Sequence, residues 1–134
     1  MSPAEADIFD EGLALIAAVP SLPPTAWPNV KPEEFIRPSE GLWLEVSWFP
    51  GEPQDPWWGE GPPYRVGFFQ ILVYCRPDEG ALAVDEAQRI IGHLPKGSQV
   101  AGAKISKTPW MAPLVQDDDK AFVQVTVPYQ GLVT

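Results

Sequence analysis

A chain of 134 residues, 45% hydrophobic and carrying six Trp and six Phe, has enough apolar material for one packed core and too much for a disordered polymer. Nine basic against eighteen acidic residues leave a net charge of −9, which repels a phosphate backbone and argues against non-specific nucleic-acid binding. No run reaches the ~18 to 20 apolar residues of a membrane-spanning helix, so a soluble protein with one domain over residues 1–134 and no membrane partner is expected.

The first residues lack the basic start of a secretory signal, because Glu5, Asp7, Asp10 and Glu11 stand where positive charge is wanted. Ser2-Pro3-Ala4-Glu5 reads instead as a helix start, with Ser2 as cap and Pro3 at the first helical position. The predicted helix runs to about Ala18, with Ile8, Gly12, Leu15, Ile16 and Val19 on one face and Phe9 and Leu13 widening the stripe. Pro20, Pro23 and Pro24 end it, and an extended connector follows in which Trp27 is expected to be pinned against the domain.

Leu42 to Phe49 alternates as a strand does, placing Leu42, Leu44, Val46 and Trp48 on one face and Glu45 and Ser47 on the other. A second strand is predicted over Arg65 to Cys75, with Phe69, Ile71, Val73 and Cys75 inward. Its other face, from Val66 and Phe68 through Leu72 to Tyr74, is also largely apolar and calls for a cover other than water. Asp78-Glu79-Gly80 opens a second helix, Ala81 to Leu94, on the stripe Ala83, Ala87, Ile90, Ile91 and Leu94. Val100 to Lys107 and Phe122 to Tyr129 read as strands, with Thr108 to Lys120 between them as loop. The order helix, strand, strand, helix, strand, strand predicts an α+β fold: a mainly antiparallel four-stranded sheet with two helices on one face.

The two central strands flank a projecting arm, residues 50 to 64, which holds Pro50, Pro53, Pro56, Pro62 and Pro63 around the Trp57-Trp58 pair. Paired indoles in so proline-rich a stretch pack either on their own domain or on a partner. Ordering such a loop costs on the order of 1 kcal/mol or more per residue, which two buried tryptophans do not offset. Contact with another subunit is therefore the favoured fate, and Trp57, Trp58, Tyr64 and Phe68 are the candidate interface residues.

Catalytic chemistry finds little to use. Cys75 has no disulfide partner and lies in an apolar run, which suits a buried, inert thiol in a reducing compartment. His93, the single imidazole, falls near the end of the second helix, where the dipole favours its charged form over a general base. Asp117-Asp118-Asp119 lacks the alternating oxygen spacing and glycine of a calcium loop, and reads as a solvated turn. The glycines form no phosphate cradle, and Lys96, Lys104 and Lys107 form no stripe. No catalytic residue, metal ligand or cofactor is assigned.

Several local signatures resemble the tail terminator proteins of long-tailed phages, in the branch of small prophage tail proteins. They are Trp27-Pro28-Asn29 after a first helix, Phe35 and Pro38 before the strand at Leu42, Arg65-Val66-Gly67 with Gln70-Ile71 in the long strand, Ala87 in the second helix, and the closing Val127-Pro128-Tyr129. The chain departs from the family pattern in its long arm and at Leu94, where a bulkier aromatic is usual. The resemblance implies a non-enzymatic subunit that forms a ring, of six copies, on the head-proximal end of the tail tube. Such a ring stops tube growth and joins the tube protein to a head-completion protein, in the virion tail and, during assembly, in the host cytoplasm. The rival reading is a monomeric adaptor or inhibitor that occupies a partner's pocket with Trp57 and Trp58.

Overall fold

The computed structural model describes residues 5–38, 41–51, 64–100, 102–117 and 119–132. The expected cap at Ser2-Pro3 and the arm tip with Trp57 and Trp58 lie outside the described residues, as do Ala101 and Asp118.

In chain order the elements are α1 (Glu5–Ala17), β1 (Thr25–Ala26), a 3-10 turn (Pro32–Glu34), β2 (Trp43–Pro50), β3 (Tyr64–Cys75), α2 (Gly80–Gly92), β4 (Gln99–Val100), β5 (Ala103–Ile105), β6 (Trp110–Met111), β7 (Val115–Gln116) and β8 (Ala121–Leu132). The fold is α+β, but the sheet is not the four-stranded antiparallel layer that the residue pattern predicts. It is an eight-stranded mixed sheet that curls into a half-barrel, in the order β1-β2-β3-β8-β5-β4, with β6 and β7 also on β8.

Two features account for the difference. β1 arises in the proline-rich connector and runs parallel to β2, with Thr25 opposite Leu44 and Ala26 opposite Glu45. Residues 108 to 120, expected as loop, supply β6 and β7. Both are two-residue strands, too short to show any alternation, and they are needed because β8 would otherwise leave a row of unpaired N–H and C=O groups on its second edge. β5 covers that edge at Gln130 and Tyr129, β6 at Thr126 and Val125, and β7 at Phe122 and Ala121.

β3 and β8 are the spine, antiparallel along their full twelve-residue lengths from Tyr64↔Leu132 to Cys75↔Ala121. Pro128 is tolerated inside β8 because its nitrogen faces the β5 edge. Its carbonyl accepts there from Ser106 N–H at 3.1 Å, at the point where β5 ends.

One apolar cluster forms the core, with both helices on the same face of the sheet. Leu44, Ile71, Val73, Val123 and Val125 rise from the strands, and Ile8, Ile16, Ala83, Ala87 and Ile90 descend from the helices. Each fully buried aliphatic side chain stabilises the fold by roughly 1.5–3 kcal/mol. Gly12 is required for this packing, because a Cβ there would enter the ring of Phe69. Arg89 ties α2 to the connector that follows α1: its guanidinium donates to the Pro20 carbonyl at 2.6 Å and bonds Glu86 within α2 at 2.5 Å, a bond that raises its pKa further. Trp27 is partly buried and packs against the core, as expected.

Candidate assembly surface

The groups that chemistry would need are scattered. His93 is exposed just past the end of α2. Cys75 is buried on the core side, and burial, followed by Glu79 and Asp78, raises its thiol pKa. Asp119 faces Arg37 at 3.7 Å, whereas Asp117 closes a turn through its N–H to the Lys120 carbonyl. Among the described residues no three metal-ligating side chains gather.

The outer face of the sheet, away from the helices, is more informative. Alternation along β2, β3 and β8 sends Trp43, Glu45, Ser47 and Phe49 to this face, together with Phe68, Gln70, Leu72 and Tyr74, and with Phe122, Gln124, Thr126 and Pro128. The register aligns their aromatics into two groups, one at each end.

At the end where β2 begins, Trp43 stacks on Tyr74 with ring centroids 4.0 Å apart, and Tyr74 meets Phe122 at 5.5 Å. Phe35, from the segment before β2, adds a ring 5.7 Å from Trp43. Cations close the row from above, the Arg37 guanidinium 5.5 Å from the Trp43 centroid and the Lys120 ammonium 5.1 Å from that of Tyr74. Trp43 and Tyr74 are thereby buried. Burial raises the Tyr74 pKa, Glu45 adds to the rise, and Arg37 opposes it.

At the other end, Phe49 and Phe68 stack at 5.0 Å with no such cover among the described residues. Together with Val66, Trp110, Gln124 and Pro128 they line a groove of about 670 Å³. Phe49 is 43% exposed and Trp110 47% exposed, large values for such rings. Beneath the groove the floor is firm: the Trp48 indole N–H donates to the Tyr129 hydroxyl at 3.0 Å, and Gly67 gives that hydroxyl room that any Cβ would take.

Of the four predicted interface residues, Phe68 lies in the groove and Tyr64 opens β3 at the same end of the sheet, while Trp57 and Trp58 lie outside the described residues. Sequence reasoning passed over Phe49 and Trp110. The alternation that puts Val46 inward puts Phe49 outward, so Phe49 carried a usable signal. Trp110 carried none, since β6 has no readable period.

Trp27 and Pro28 form part of the wall of a further cavity of about 420 Å³ beside β1. Glu45 and Ser47 complete that cavity from the sheet side.

Comparison with known proteins bears on this architecture. One solved chain shares 21% identity with a TM-score of 0.63, covering 96% of this chain and 92% of its own length. Another, from the virion of a native gene transfer agent particle, shares 14% identity with a TM-score of 0.52, covering 98% and 94%. At these identities the likeness establishes a shared fold. No curated protein matches. A family model described as phage tail terminator protein matches residues 7–129, which takes in every element from α1 to most of β8. The chain therefore belongs to the phage tail terminator family.

Proposed function

We propose that this tail protein assembles into a hexameric ring on the head-proximal end of the tail tube, halts tube growth there, and presents the surface to which the head-completion protein binds. It acts by surface contact and transforms no substrate. The observation that supports this reading is the open end of the outer sheet face, where Phe49 and Trp110 are exposed and Phe68 is half-buried beside the point at which the arm leaves the domain. Large aromatics in an open, apolar groove are the usual anchors of a protein interface. Trp57 and Trp58 add two further anchors from the arm, and their joint replacement by serine is expected to weaken assembly while leaving the fold intact.

Electron microscopy of tails assembled with and without the protein tests the reading. Tubes lacking it are expected to overgrow and to carry no heads, and added protein is expected to restore a fixed length with ring density at one end. Tubes of normal length that join heads in its absence would refute the proposal. A strict monomer that binds its target one to one would favour the adaptor reading instead.

A further inference from the structure

We propose that copies of this chain join head to tail, Ile36 of one copy filling the aromatic groove between Phe49, Phe68 and Trp110 of the next. This rests on the ring reading and names the occupant of the groove.

Ile36 is the most exposed large apolar side chain among the described residues, at 84% against 54% for Leu82. Its neighbours build that exposure in. Phe35 and Arg37 both turn to Trp43, the ring 5.7 Å and the guanidinium 5.5 Å from the indole centroid, and Arg37 also meets Asp119 at 3.7 Å. In an extended stretch, a side chain between two that face the sheet points the other way. Pro38 disfavours any helical conformation at Arg37 and keeps the stretch extended. The isoleucine is thus a pinned knob, with little freedom left to lose on binding.

None of the residues that line the groove is ionisable. In a chain of net charge −9, such a surface lets two copies touch without like charges meeting at the contact, and it receives an aliphatic group better than a charged one. Knob and groove lie at opposite ends of the outer face. From Trp43, which anchors the knob, to Phe49, β2 advances about 20 Å at ~3.3 Å per residue. With Phe35 and Arg37 held on Trp43, Ile36 does not reach its own groove. A second copy supplies the match, since each chain carries one knob and one groove. Two different patches at opposite ends of one subunit make a heterologous contact, which uses both on every copy once the ring closes. A different protein in the groove would leave every Ile36 in water.

Two experiments test this. Ile36→Asp is expected to weaken self-association at least about tenfold by light scattering, since a carboxylate then meets apolar rings, with the thermal unfolding curve unmoved. Leu82→Asp, at the next most exposed of these positions, is expected to leave association unchanged. For the contact itself, chains carrying Ile36→Cys are mixed in equal amounts with chains carrying Gln124→Cys, a position that lines the groove, and oxidised glutathione is added. A disulfide is expected to join one chain of each kind, identified by the mass of the mixed pair, and neither kind is expected to cross-link alone. Cys75 is buried and takes no part. Full association by the Ile36→Asp variant, an equal loss with Leu82→Asp, no mixed disulfide, or cross-links within one kind alone would overturn the proposal. If in any of those cases the parent protein still gives tails a ring and a fixed length, the contact is wrong and the capping role stands. If it does not, the capping role fails with it.

Discussion

The two ends of the outer sheet face are built from the same three strands and the same kinds of side chain, yet among the described residues only one is capped by other parts of the chain. At the capped end, Phe35 and Arg37 close over Trp43, and Lys120 closes over Tyr74, whose ring meets Phe122. At the bare end, Phe49 and Phe68 stack just as closely and face a groove. Residue type does not separate a structural aromatic from an interface aromatic. The neighbouring segments do, because they decide which rings lose their water on folding and which keep it until association.

The largest effect should come from the capped end. Trp43→Ala removes a ring that is 9% exposed and stacked on Tyr74, and is expected to cost about 3–5 kcal/mol in denaturant unfolding. A cost below ~1 kcal/mol would erase the distinction between the ends. At the bare end Trp110→Ser should change unfolding stability by no more than about 0.5 kcal/mol. It should instead weaken assembly by roughly 30-fold, as expected for loss of a ~2 kcal/mol anchor. A large loss of fold stability would show that this ring belongs to the core.

Below the groove, Tyr129→Phe deletes the acceptor of the Trp48 indole N–H. It should cost about 1–2 kcal/mol and leave thermal unfolding cooperative. The smallest effect concerns pH. Tyr74 has a raised pKa in the fold, so its contribution to stability is complete below the ordinary tyrosine value of 10.0 and is lost as pH rises through the higher folded value. Tyr74→Phe is expected to flatten that alkaline loss. Arg37→Ala should move the Tyr74 titration further upward, since Arg37 opposes the shift; a downward move in the tyrosinate absorbance titration would contradict the assignment.

How much of this could be read from the sequence depended on the length of each element. Val123, Val125, Val127 and Tyr129 lie fully on the core side, as alternation over a long strand dictates, and of the stripe Ala83, Ala87, Ile90, Ile91 and Leu94 all are buried except Ile91, which is partly buried at its margin. The two-residue strands carried no period, so the extent and mixed character of the sheet stayed hidden. The predicted strand over Val100 to Lys107 is in fact two short pieces, β4 and β5, that pair with each other around Gly102 at φ +86°. The candidate surface was half visible. A second apolar face on β3 was plain from Phe68, Leu72 and Tyr74, but deciding which part of it is covered needed the register of β2 and β8 and the position of Arg37 and Lys120, which are contacts between distant parts of the chain.

The far edge of β8 has a dynamic consequence. It is held by three fragments, each making two paired positions with the strand, in place of one continuous partner. Fragments of that size can lift one at a time, without the cooperative rupture that parting β3 from β8 would require. Amide hydrogens in β6 and β7 should then exchange with solvent long before those of the spine, leaving this side of the half-barrel able to breathe while the rest stays shut.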